Sequence, residues 1–222
     1  MILRNYIHIQ PQYFSPEDLA QITACANNHE LMDAKVGAPT GDDADGKIEN
    51  NIRSSQVKWI QPHEFPKQFQ DKLHAGITRA HEECGWTWDI FYQQAIQYTV
   101  YKYNGDSSDG FYTWHTDASP ELYNENGQWL QRKTSWVIQL SNPEDYEGGD
   151  FQYINPTTVF DRLPQHHIGN IDITDAIHTV PFSGKEQGSL LVFPSFVHHQ
   201  VQKITRGERR SLVGWACGEN YI

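Results

Sequence analysis

The sequence predicts a mainly β fold, an antiparallel sandwich or barrel with helices gathered before residue 90. Three observations lead there. Apolar and polar residues alternate with a period of two in several stretches between Ala95 and Ala216. Clusters of Gly, Pro and Asn cut those stretches into short strands. Helix start signals and apolar residues at spacing four are confined to the earlier part of the chain.

Ser15-Pro16-Glu17-Asp18 places a cap, a first-turn proline and two acids at a helix start. That helix is expected to run to about Asn28. Residues 37–56 are polar, acidic and glycine-containing, and read as a mobile loop. A second helix is expected over Glu64–Glu83, where Phe65, Phe69, Leu73 and Ile77 make one apolar face. Beyond it, Ile96, Tyr98 and Val100 alternate with Gln97, Thr99 and Tyr101. Trp136, Ile138 and Leu140 alternate with Ser135, Val137 and Gln139. Phe151 and Tyr153 follow a Gly148-Gly149 turn or bulge, and Ser189–Phe193 and Ser211–Ala216 are further strands. Residues 155–187, which include His166, His167 and His178, read as a long excursion between strands, with the histidines at the surface.

With 222 residues the chain fits a single domain, 1–222: a helical support over 1–90 and a β core over 91–222. Seventeen Lys and Arg against 28 Asp and Glu give a net charge of −11, which argues against a nucleic-acid backbone as the main partner. No apolar run approaches the ~20 residues of a membrane helix. The opening MILRNYIHIQPQ lacks a signal-peptide pattern, and Cys25, Cys84 and Cys217 suit a reducing interior, so a cytoplasmic setting is expected.

The chemistry concentrates in two places. In an extended segment His115 and Asp117 point to the same face and can hold one ion from one side. Two neutral imidazoles and a carboxylate suit Fe(II), leaving positions open for substrate and dioxygen. The second imidazole must come from another strand, and FPSFVHHQV offers His198 and His199. Arg209 follows ten residues after His199; a guanidinium grips a carboxylate by two parallel hydrogen bonds and suits a dicarboxylate.

Taken together, Tyr103-Asn104-Gly105, FYTWHTD, YEGGDF, FPSxxxHxV, Arg209 and Trp215 resemble, in that order, the iron(II)- and 2-oxoglutarate-dependent dioxygenases, in particular the prolyl 4-hydroxylase-like branch. The resemblance spans about residues 95–218. It implies a double-stranded β-helix, a jelly-roll core buttressed by the N-terminal helices. It implies His115, Asp117 and His199 as metal ligands, the spacing from Phe193-Pro194-Ser195 favouring His199 over His198. It places Arg209 on the distal carboxylate of 2-oxoglutarate, with Tyr103, Tyr112 and Gln139 beside the cosubstrate, Arg132 on the substrate and Trp215 as a pocket wall. Ser135, Val137 and Gln139 would then face the interior. The implied cofactors are Fe(II), 2-oxoglutarate and dioxygen, with ascorbate admitted as an accessory. The implied reaction is hydroxylation of a peptidyl proline coupled to decarboxylation of 2-oxoglutarate to succinate.

A proline-containing peptide or protein is the expected partner. Asp106, Asp109, Glu121, Glu144, Asp145 and Glu147 near the expected mouth favour a cationic one. Residues 37–56 and 155–187 are candidate lids. The rival readings are the same chemistry on another side chain, a free amino acid or a nucleobase, a zinc hydrolase using the same ligands, and a non-catalytic metal-binding jelly-roll module.

Overall fold

Strand alternation decides what lies on each side of the main sheet, and the helices cover one of those sides. The computed structural model describes residues 5–37, 46–118, 122–125, 127–156 and 174–219. Helix α1 spans Pro16–Ala26. The Ser15 side chain accepts from the Asp18 backbone N–H, while Asp18 accepts from that of Ser15, a reciprocal capping box. Helix α2 spans Lys67–Cys84 and ends at Gly85, whose φ of 71° makes a left-handed cap. It starts three residues later than the sequence suggests. Pro66 forces Phe65 into extended backbone, so residues 62–64 form a separate 3-10 turn. Phe65 is buried all the same.

Among the described residues, fifteen strands form two antiparallel sheets. The larger runs β1 (His8–Gln10), β13 (Leu190–Pro194), β9 (Gln128–Gln139), β15 (Ile204–Gly218), β6 (Ile96–Lys102), β4 (Gln56–Ile60) and β2 (Met32–Asp33). Strands β5 (Tyr92–Gln93) and β10 (Tyr146–Gly148) join it on β15, and β8 (Tyr123–Glu125) on β9. The smaller runs β12 (Ile177–Thr179), β11 (Phe151–Ile154), β14 (His199–Val201), β7 (Phe111–His115) and β3 (Arg53–Ser54). A four-residue helix α3, Phe182–Lys185, precedes β13.

Trp136 and Ile138 on β9, and Leu140 just after it, pack with Ile22, Phe69, Leu73 and Ile77 of the helices. The opposite face carries Val137 into the core between the sheets, with Phe151, Phe193, Val197 and Val201. The architecture is therefore a jelly-roll sandwich with a helical layer on the larger sheet. Near Glu147/Gly148 the pairing of β10 with β15 shifts by a bulge, and Gly148 and Gly149 adopt φ of 76° and 62°. A Cβ on Gly149 would press on Ile204 and on the Arg209 stem at 3.0 Å, so glycine leaves that arginine its path.

The first ninety residues are less helical than expected. Strands β1, β3 and β4 thread that segment into both sheets, pairing with β13, β7 and β6. Of the polar segment 37–56, residues 38–45 lie outside the described residues, and 53–54 and 56 are strand. Most of the excursion 155–187, with His166 and His167, also lies outside them, and the lid expectations fall largely on these residues. His178 stacks on Tyr153 at 5.4 Å. None of the three cysteines is in a disulfide among the described residues, and Cys84 and Cys217 are buried. No helix of the described residues is long and apolar enough to cross a membrane.

Candidate active site

Strand pairing brings the two histidines together. His199 on β14 is the direct partner of His115 on β7, and their rings lie 4.1 Å apart. His198, one residue earlier, is exposed, as alternation requires. Asp117 follows β7 and is pinned by its backbone: the N–H groups of Asp117 and Ala118 both donate to the Ser195 carbonyl, at 3.0 and 2.9 Å. The Ser195 hydroxyl pairs with Ser135 at 2.9 Å. The Phe-Pro-Ser run ending β13 thus fixes where the carboxylate sits.

Both imidazoles are oriented by the same local device. His115 Nδ1 donates to the Thr113 carbonyl at 2.7 Å, and His199 Nδ1 to that of Val197 at 2.9 Å. A carbonyl only accepts, so Nδ1 carries the proton and Nε2 presents a lone pair. Those Nε2 atoms stand 3.9 and 3.7 Å from the two oxygens of Asp117. These separations are too long for hydrogen bonds. One donor atom from each residue lies within 4.8 Å of the others, so three donors converge without satisfying one another.

Electrostatics keep His115 neutral and Asp117 ionised. Burial pushes the His115 pKa down to about 3, and neighbouring His199 acts in the same direction. Burial opposes ionisation of Asp117, but His199, His115 and Arg132 outweigh it and hold the carboxyl below its ordinary range. Two neutral imidazoles and one carboxylate are the donor set of a mononuclear Fe(II) site. Burial also pushes the phenol of Tyr112, stacked on His115 at 3.5 Å between centroids, up to about 12.

The three donors open on a cavity of about 300 Å³ between the sheets. Arg209 lines it from β15 and is only 2% exposed. Its Nη2 donates to Gln139 Oε1 at 3.0 Å, and its guanidinium lies 5.5 Å from the Tyr101 ring centroid. Among the described residues no carboxylate pairs with it, and a buried guanidinium without a counter-charge is costly. Next to it in the strand register, Thr99 Oγ1 and Ser211 Oγ are buried without a hydrogen-bond partner among the described residues, as is Trp215 Nε1 further along the cavity wall. A carboxylate ligand would answer both the charge and the hydroxyls. The donor set and these orphaned groups therefore fit Fe(II) and 2-oxoglutarate.

The remaining predicted residues divide. Arg132 and Trp215 line the cavity together, the guanidinium 3.8 Å from the Trp215 ring centroid, with Arg132 Nε donating to Gln94 Oε1 at 2.6 Å. Gln139 is buried and touches the cavity only through Arg209. Tyr103 does not reach it. Strand β6 ends at Lys102, Gly110 N–H donates to the Lys102 carbonyl at 2.7 Å to close the loop, and Tyr103 is left 45% exposed. Tyr101 occupies the cavity instead. The alternation of Gln97, Thr99 and Tyr101 was its signal, since all three line the cavity. Arg53, Trp59 and Lys35 also line it and carry no motif.

The expected acidic mouth is not there. Asp109 is buried against Lys203 at 3.0 Å and Glu147 pairs with Arg206 at 2.8 Å. None of Asp106, Asp109, Glu144, Asp145 or Glu147 lines the cavity, and Glu121 lies outside the described residues. Among the described residues the charged groups that line it, apart from Asp117, are cationic, so the cavity itself gives no ground for expecting a cationic partner.

A jelly roll holding two histidines, an aspartate and an unpaired buried arginine in one cavity defines a mononuclear non-haem oxygenase of the kind that takes a dicarboxylate cosubstrate. The 2OG-Fe(II) oxygenase superfamily matches residues 96–217, more than half of the chain, and the chain belongs to that family. Among curated relatives, a PKHD-type hydroxylase of Acinetobacter baylyi is 26% identical over 214 residues, covering 94% of this chain and 77% of the relative. The PKHD-type hydroxylase YbiX of Escherichia coli is 23% identical, covering 92% and 75%. Among solved structures, a Pseudomonas putida prolyl-4-hydroxylase superposes with a TM-score of 0.59 at 21% identity, covering 95% of this chain and 91% of that one. A Trichoplax adhaerens prolyl hydroxylase, solved with a hypoxia inducible factor peptide fragment, gives 0.61 at 14% identity, covering 96% and 83%.

Proposed function

We propose that this 2OG-Fe(II) oxygenase hydroxylates a proline within a peptide or protein. His115, Asp117 and His199 hold the metal, and Arg209, supported by Gln139, holds the distal carboxylate of 2-oxoglutarate. The observation that carries the reading is the buried, carboxylate-free Arg209 sharing one cavity with the three converging donors. Bound Fe(II) with 2-oxoglutarate and dioxygen supplies the oxidation, in which 2-oxoglutarate becomes succinate and carbon dioxide and a C–H bond gains one oxygen.

The protein's share is placement and exclusion. The Nδ1 bonds to Thr113 and Val197 keep both Nε2 lone pairs aimed at the ion. Val137, Phe151, Phe193 and Val201 wall the cavity with apolar surface and keep water from the reacting centre. Arg132, laid against Trp215 and held by Gln94, is positioned to receive a substrate carbonyl. The relatives' names, PKHD-type hydroxylase and prolyl hydroxylase, support proline as the target, and a proline-rich segment is already extended and enters a groove at low ordering cost. Succinate release against a peptide library, with mass spectrometry locating the added oxygen, tests this. Oxygen gained on proline is the expected result; turnover that no proline peptide stimulates overturns it.

A further inference from the structure

The cavity carries more positive charge than the metal and cosubstrate use. Among the described residues, Lys35, Arg53, Arg132 and Arg209 line it, and Asp117 is the one carboxylate facing them. Arg209 answers 2-oxoglutarate, Arg132 a substrate carbonyl, and Asp117 the metal. Lys35 and Arg53 are left without a task, and of the two Arg53 is the buried one, only 6% exposed. It arrives on β3, whose register with β7 sets it opposite Tyr112. Its Nε donates to Ser55 Oγ at 2.7 Å and its Nη2 to Gln97 Oε1 at 3.3 Å. The guanidinium lies 4.7 Å from the centroid of the Tyr112 ring, which lies against His115. Two of its five N–H donors are thus met, both by neutral acceptors, and no carboxylate among the described residues pairs with it.

A guanidinium so buried, aimed by two polar neighbours and uncompensated, is stable when an anion completes it. The net charge of −11 does not oppose this. Exposed acids more than about 8 Å away are largely screened at physiological salt, while a buried charge pair is not. We propose that Arg53 anchors the substrate and that the substrate presents a carboxylate to it. This rests on the oxygenase reading above and narrows its substrate. The carboxylate belongs to an acidic residue beside the target, or to a free α-carboxylate at a chain end or on an amino acid.

Binding decides it without turnover. Full-length protein is loaded with Mn(II) and 2-oxoglutarate in the absence of oxygen, and affinity is read by calorimetry and by quenching of tryptophan emission, Trp59 and Trp215 both lining the cavity. Three probe pairs separate the carboxylate sources: proline peptides with a flanking Glu or Gln, proline peptides ending in a free carboxylate or a carboxamide, and free proline against prolinamide. In at least one pair the carboxylate member should bind about tenfold or more tighter, the worth of one charge-assisted contact. Arg53→Gln should close that gap, Arg53→Lys should retain part of it, and 2-oxoglutarate affinity should change less than about twofold in both. No gap in the wild-type protein overturns the proposal, whatever the variants do. So does a gap that survives Arg53→Gln, or a loss of 2-oxoglutarate affinity matching that of Arg209→Gln. If only the free-proline pair shows an Arg53-dependent gap, the anchor stands and the peptide reading falls. If neutral and acidic peptides are bound and hydroxylated alike, the reverse holds.

Discussion

His115 and His199 each have one nitrogen committed to a backbone carbonyl and line the cavity with the rest of the ring. His199→Ala should abolish measurable Mn(II) binding by calorimetry, while His198→Ala, at an exposed position, should leave it within about twofold. Arg209→Gln should raise the 2-oxoglutarate concentration for half-maximal succinate release by about tenfold or more, the loss of a charge-assisted fork. His81 offers a test away from the metal site. Burial pushes its pKa down to about 4 from 6.5, with its Nε2 2.8 Å from Thr134 Oγ1. The folded protein therefore binds fewer protons than the unfolded chain between these values, so stability falls as pH drops from about 6.5 toward 4. His81→Gln should flatten that part of a plot of unfolding midpoint against pH; an unchanged slope would remove His81 as its source.

Strand β9 shows what one element contributes and how far the sequence discloses it. Its alternation was legible: Trp136, Ile138 and Leu140 go to the helices, while Ser135, Val137 and Gln139 serve the site side. Trp136 is fully buried, its Nε1 donating to Gln93 Oε1 at 3.0 Å. Trp136→Ala should cost about 3–5 kcal/mol in chemical denaturation. Ser15→Ala, which removes the cap of α1, should cost about 1 kcal/mol. His115, Phe193 and Arg209 were legible because each sits on a strand, and Asp117 and Ser195 follow just after two of those strands. Arg53 was not, because β3 is two residues long inside a polar, glycine-containing segment, and only pairing with β7 gives it a direction. Tyr103, placed at the site by the resemblance alone, lies just past the end of β6 and is exposed.

Across the whole molecule, the residues proposed to hold the metal and the arginine proposed to hold the cosubstrate come from opposite walls of the sandwich. His115 and His199 stand on the smaller sheet and Arg209 on the larger. A ligand touching both walls ties the sheets together, so metal and 2-oxoglutarate should stabilise the fold more jointly than either does alone. At a hundredfold excess over its dissociation constant a native-state ligand adds about 2.7 kcal/mol. The unfolding midpoint should therefore rise with Mn(II) plus 2-oxoglutarate by more than the sum of the separate shifts, and Asp117→Ala should abolish the excess. Simple additivity would mean that the two sites do not communicate.

The phenol ring of Tyr112 touches the imidazole of His115 on the metal side and the guanidinium of Arg53 on the other branch of the cavity. Arg53 already bears on His115, adding to the forces that keep it unprotonated. Neutralising that guanidinium would make the imidazole more basic and a better donor to the ion. Thermodynamic reciprocity then requires that a loaded centre grip the incoming acid more firmly than an empty one does. A cobalt-substituted sample would register such an arrival as a change of colour before any oxygen is admitted.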